Sequence, residues 1–183
     1  VHHVRELMDE IFEPENFVAM VAFKTATNQN TNTVQRLYDY VVWYAKEKPK
    51  IKCNQLFRLR TLDEIESVFN NSDKKGKFKA TELKGFSDEE LKHLAGLDRL
   101  LNERYGKRYF DDFSLTELDN VWWGTIISTF SKEKVYVVQT SRPVVERCLL
   151  MTTNPGDLIL DPTCGGGTSA YVAEQWGRRW ITM

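Results

Sequence analysis

Cysteine is scarce and scattered: Cys53, Cys148 and Cys164 are the only three in 183 residues. No CxxC pair exists, and only His2, His3 and His93 stand ready to complete a metal site. That pattern argues against a disulfide framework and against zinc, so no metal is expected and a reducing, cytoplasmic compartment is. Long apolar runs are absent too. No stretch approaches the roughly 18 residues of a membrane span, and no signal peptide is visible. Net charge is also lacking: 25 Lys and Arg against 26 Asp and Glu give −1. A global electrostatic attraction to nucleic acid is therefore excluded, and any basic surface has to be local. What is present is 42% hydrophobic and 28% charged sequence. That supports one core, or one domain with a smaller insert. The chain opens at Val1 inside helix-like sequence, VHHVRELMDEIF, which points to a piece of something longer.

The patterning divides the chain in three. Val4, Leu7, Met8, Ile11 and Phe12 lie at helical spacing. FVAMVAF (Phe17–Phe23) reads as a buried strand, KTATNQNTNT (Lys24–Thr33) as a polar loop, and YDYVVWYA (Tyr38–Ala45) as a second strand. The basic, proline-containing KEKPKIK marks a boundary near residue 50. Between about 51 and 134 the character changes. TLDEIESVF predicts a short helix, NNSDKKGKFK a charged turn, and Ser87–Gly106 a long helix opened by a Ser87/Glu90 capping box. In the last third, KVYVVQT (Lys134–Thr140) reads as extended. SRPVVERCLLMTT reads as a helix with Ser141 as its cap. LIL with Asp161 reads as a buried strand, followed by a glycine turn, a helix, Gly177 and a further strand. That is the β-α-β unit of a parallel sheet, so the fold class is α/β.

Gly165, Gly166 and Gly167 stand at the strand-to-helix turn. Glycine there permits positive φ and a close backbone approach to a ligand, and the helix start offers open N–H groups. A phosphate loop is excluded, because no lysine follows Gly167. A dinucleotide fingerprint, G-x-G-x-x-[GA], is met by Gly165, Gly167 and Ala170. Its confirming acidic residue would stand about 20 positions on, past Met183. A tight turn without a ligand is the plain alternative.

A resemblance adds a third reading. GDLILDPTCGGGTSAYVAEQWGRRWI resembles motif I of the amino-group DNA methyltransferases, the S-adenosylmethionine turn usually met as DPFxGSGTT. Asp161, Pro162, Gly165, Gly167 and Thr168 match; Thr163 replaces phenylalanine, Gly166 serine and Ser169 threonine. VVQTSRPVVERCLLMTTNPGD resembles motif X, with Arg142-Pro143 for the usual Lys-Pro. HHVRELMDEIFEPENFVAMVAFKT resembles the segment after the catalytic motif, and YDYVVWYAK the strand before the target-recognition region. Together these cover roughly two thirds of the chain. Their order is that of the β-class enzymes, with the nearest likeness to the modification subunits of type III restriction systems.

The resemblance implies an incomplete Rossmann-like, permuted methyltransferase fold with an inserted target-recognition domain. Residues 1–50 then belong to the catalytic half, 51–134 to target recognition and 135–183 to the cofactor half. It implies adenine-N6 methylation of double-stranded DNA in a prokaryotic cytoplasm, with cytosine-N4 transfer or a non-catalytic DNA-specificity module as alternatives. A restriction subunit or a homodimer partner is a further expectation. Cofactor contacts are expected from Thr140, Arg142, Asp161, Pro162, Thr163, Cys164, Gly165, Gly167 and Thr168, with Thr168 capping its helix. Phosphate contacts are expected from Arg58, Arg60, Lys74, Lys75, Lys77 and Lys79.

The family's catalytic [DNS]PP[YFW] motif, which holds the target amine and stacks on the flipped base, occurs nowhere in the chain. No catalytic residue is therefore assigned, and this polypeptide alone is expected not to methylate DNA. The motif is expected just before Val1, and its strand between the motif I strand and Phe17–Phe23. Those two strands are then expected to show unpaired edges.

Overall fold

A computed structural model describes residues 1–25, 32–126 and 140–183. The first elements are α1 (His2–Phe12), β1 (Phe17–Lys24), β2 (Tyr38–Tyr44), β3 (Phe57–Leu59), α2 (Leu62–Val68), β4 (Asn71–Asp73) and β5 (Gly76–Glu82). Then come α3 (Asp88–Gly96), β6 (Tyr105–Tyr109), β7 (Leu115–Glu117) and β8 (Val121–Trp122). The chain closes with α4 (Arg142–Thr152), β9 (Leu158–Asp161), α5 (Thr168–Gln175) and β10 (Arg179–Thr182). Two compact units result, Val1–Leu56 with Leu118–Met183, and Phe57–Glu117. The strand expected over Lys134–Thr140 lies, apart from Thr140, outside the described residues, as do positions 26–31 of the polar loop.

The first unit holds two sheets. One is ordered β2-β1-β8, with β1 antiparallel to β2 and parallel to β8. Alternation puts Val21 on the core face, where it packs with Trp122 and Val144 of α4, while Met20 faces out. Phe17–Phe23 is thus a strand covered on one face, rather than the continuously buried run that its composition predicts. Its edge away from β2 is paired only at Ala22 and Phe23, with Val121 and Trp122, and β9 pairs only with β10 among the described residues, so the expected unpaired edges are largely present. A two-residue strand such as β8 leaves no periodic signal in sequence.

The second sheet pairs β9 and β10 in parallel across the α5 crossover. α5 buries Val172 and Ala173 against it. Leu158 and Leu160 are exposed, which corrects the reading of LIL as buried. The paired register puts Leu158, Leu160 and Ile181 on the face opposite α5, and no described residue covers that face. Arg178, itself buried, ties this β-α-β unit to α4. Its guanidinium donates to the Thr153 carbonyl at 2.7 Å and to the Trp176 carbonyl at 2.6 Å. α1 lays Met8 and Phe12 inward, with the Phe12 ring 5.8 Å from Tyr44, while Val4, Leu7 and Ile11 are exposed.

The sequence boundaries near 51 and 134 differ from those of the compact units for a local reason. Asn54 donates from its side chain to the Leu150 and Thr153 carbonyls at 3.0 Å, and its backbone N–H to Met151. These bonds, with Leu118 N–H on the Leu56 carbonyl, fasten both crossing segments to the first unit.

The inserted unit carries sheets β3-β7 and β4-β5-β6, all antiparallel. Both helices open on capping boxes, Thr61/Glu64 for α2 and Ser87/Glu90 for α3. α3 ends at Gly96, ten residues short of the length that its leucines predict. Asp98 turns left-handed at φ 55, and the Asn102 carboxamide oxygen accepts the Arg104 and Tyr105 N–H groups. This turn chemistry outcompetes helix continuation and sends residues 105–109 into the sheet.

Candidate functional site

β9 delivers Asp161 to the mouth of the glycine turn. One of its oxygens accepts the Thr163 N–H at 3.0 Å and the Thr163 hydroxyl at 3.3 Å. The Ser169 hydroxyl also donates to this carboxylate. That bond, followed by the Thr163 N–H, holds Asp161 below the ordinary carboxylate range. One ionised side chain thus staples the strand end to the first turn of α5.

Within the turn, Gly165 and Gly167 adopt φ 58 and φ 73. These are left-handed positions that glycine takes without penalty. The Gly167 N–H closes on the Cys164 carbonyl at 3.0 Å, and the Gly167 carbonyl accepts the first helical bond, from Tyr171. Gly167 is therefore the N-cap, and no side chain caps α5. This corrects the capping role expected of Thr168, which is the first helical residue. The N–H groups that open α5 have no side-chain acceptor and lie at its positive end. A Cβ added at Gly167 would meet nothing within 4 Å. Among the described residues, nothing packs on that side of Gly167. Pro162, Thr163 and Cys164 complete the turn.

Arg142 bonds the flank of α5 rather than the turn. Thr140 is exposed, and Arg142 bonds the Gln175 carboxamide at 2.7 Å with its guanidinium 5.2 Å from the Tyr171 ring. That contact holds α4 along the flank of α5, one to two turns from Gly167.

The six basic residues of the inserted unit divide by partner. Arg58 forms a forked pair with Glu64 at 2.7 and 2.6 Å, holding that carboxyl down at about 2. Lys75 pairs with Asp98 at 3.2 Å, and Lys77 reaches Glu66 only at 4.0 Å. Arg60 donates to the Phe113 carbonyl at 3.2 Å. Lys74 and Lys79 have no ion pair among the described residues. Register reveals a residue that the linear search for clusters missed: Arg108 of β6 stands directly opposite Lys79. Of the adjacent tryptophans, Trp122 is buried and bonded to the Asp119 carbonyl, whereas Trp123 is half exposed beside Tyr38.

The N6/N4 family described as "DNA methylase" matches residues 1–183. The chain belongs to that family. The type II methyltransferase M.EcaI of Enterobacter cloacae is 24% identical over 212 residues, covering 96% of this chain and 46% of that protein. M1.MboII of Moraxella bovis, also type II, is 33% identical over 103 residues, covering 52% of this chain and 38% of that enzyme. The chain spans about half the length, or less, of the curated relatives it matches. Among solved structures, the PvuII DNA methyltransferase (cytosine-N4-specific) aligns over 99% of this chain and 51% of its own. The TM-score is 0.50 and the identity 15%. That likeness establishes the Rossmann-like α/β fold for this chain. Among the described residues, no helix is long and apolar enough to cross a membrane.

Proposed function

We propose that this chain is the cofactor-binding and DNA-contacting part of a DNA amino-methyltransferase. The parent enzyme would transfer methyl from S-adenosylmethionine to adenine N6 in double-stranded DNA in a prokaryotic cytoplasm. The observation that carries the cofactor reading is the open turn at Gly165 and Gly167, stapled by Asp161, at an α5 start that no side chain caps. Family membership supports the same reading.

The donor set fits this ligand. Open backbone N–H groups suit its carboxylate, and bare glycine backbone suits close approach by a flat, extended molecule. Asp161, Pro162, Thr163, Cys164, Gly165, Gly167 and Thr168 would hold it. When bound, S-adenosylmethionine supplies an electrophilic methyl group on a sulfonium. The work of this chain is positional. Asp161 fixes the turn and the helix start, and Arg142 keeps α4 in place along α5. We assign Arg142 that positioning role.

No [DNS]PP[YFW] tetrapeptide occurs in the 183 residues. The chain alone is therefore read as binding cofactor without turnover. Incubation with methyl-labelled cofactor and duplex DNA tests this: label retained on the protein and none in DNA is expected, and label entering DNA overturns it. The inserted unit, Phe57–Glu117, takes the target-recognition role in this reading. A cytosine-N4 target is the second reading, favoured by the solved neighbour's stated specificity. Mass spectrometry of DNA modified by the parent enzyme decides it, as N6-methyladenine or N4-methylcytosine. Association with a restriction subunit or a second copy belongs to the same proposal and is read from co-purification.

A further inference from the structure

We propose that one face of the β4-β5-β6 sheet binds the phosphodiester backbone of DNA through Lys79 and Arg108, with Arg60, held by the same Phe113 as Arg108, as a third cation. This rests on the DNA-methyltransferase reading above. In an antiparallel sheet, directly opposed residues share a face, and the register opposes Lys79 to Arg108. Lys77, two residues earlier on β5, joins that face by alternation.

Like charges set directly opposite one another destabilise a sheet. Several other cations of the same unit have a carboxylate partner. Lys107 pairs with Asp73 at 2.9 Å, Arg99 with Asp112 at 2.5 Å, Arg58 with Glu64 and Lys75 with Asp98. Lys79 and Arg108 have no carboxylate partner among the described residues. Two cations set directly opposite one another without a carboxylate partner among the described residues provide for an anion from outside.

The arginines are also held in place. The Arg108 guanidinium lies 4.4 Å from the centre of the Phe113 ring, and the carbonyl of the same Phe113 accepts Arg60 Nε. One residue thus orients two guanidinium groups, whose planar forks match phosphate oxygens. Arg58, locked on Glu64, and Lys75, locked on Asp98, are left out of the contact set. Such contacts set affinity and position, not sequence.

The test is equilibrium binding of the full 183-residue chain to two fluorescent duplexes of unrelated sequence, between about 50 and 200 mM salt. Each phosphate contact contributes about 0.9 to the slope of log affinity against log salt. Lys79→Gln and Arg108→Gln are each expected to lower the slope by about that amount, equally for both duplexes, and the double variant by about twice as much. Arg108→Lys keeps the slope, and Lys92→Gln on α3 leaves it unchanged. The thermal midpoint holds or rises in the double variant, because the repulsion is gone. A lowered midpoint with an unchanged slope assigns the pair a structural role and overturns the proposal. So does an unchanged slope in a folded double variant, which leaves the DNA reading standing. Absence of DNA binding by the parent chain, with cofactor binding intact, overturns both.

Discussion

At the scale of single residues, Gly167 carries the most. Its φ of 73 costs any other L-residue about 1–2 kcal/mol, and open space around it adds no clash to that cost. Gly167→Ala is expected to destabilise by about 1 kcal/mol in thermal unfolding. Gly167→Val is expected to cost more, since a β-branched residue at positive φ is a true outlier. The turn was legible in the sequence because three glycines between a strand ending in aspartate and an amphipathic helix have few other uses. The cap was not. Which glycine turns left-handed depends on Asp161 gripping Thr163 and Ser169, and that moved the N-cap from Thr168 to Gly167. The cysteines give a second test. Burial pushes the Cys148 thiol up to about 11, while Cys53 is exposed. A thiol reagent at mildly alkaline pH is expected to modify Cys53 in the native chain and Cys148 only after unfolding. Peptide mapping of the labelled protein checks the order.

Elements were legible where local chemistry decides them. Both capping boxes were, because Ser or Thr followed three residues later by Glu is complete in four residues. Thr61→Ala is expected to cost about 1 kcal/mol of stability by losing the α2 cap. The second half of the predicted Ser87–Gly106 helix does not form, since leucine spacing does not register that Asp98 and Asn102 offer the backbone a better turn. Nor did sequence spacing disclose the Lys79–Arg108 opposition, which exists only once β5 and β6 pair. The acid limb of stability also belongs to elements. Hydrogen bonds from Arg58 hold Glu64 at about 2, and those from Lys107 hold Asp73 at about 2. The unfolded carboxylates titrate near their ordinary values of about 4. Both groups therefore contribute stability that is fully present above about pH 4 and lost as pH falls towards 2. Glu64→Gln is expected to flatten the acid side of a stability-against-pH curve and to lower stability at neutral pH.

At the scale of the molecule, one core joins sheet and helix in the first unit, and Trp122 is its largest fully buried side chain. Trp122→Ala is expected to cost about 3–5 kcal/mol, measured by denaturant titration. The residues that build this core come from β1, β8 and α4, separated by up to 123 positions between Val21 and Val144. Sequence pattern announced β1 and α4 but not the two-residue strand between them. The order of motifs along the chain was legible, because each motif is local and their succession is specific. The faces left bare on β9 and β10 were not, because an apolar run reads the same whether one face is covered or both.

In the proposed function, the turn from Asp161 to Thr168 holds S-adenosylmethionine. Isothermal titration of this chain with S-adenosylmethionine, and separately with NAD, measures that. One binding event per chain is predicted for S-adenosylmethionine, abolished in a Gly167→Val variant shown to be folded, with no heat from NAD. Binding of NAD in its place, or no S-adenosylmethionine binding by the folded parent chain, would contradict it.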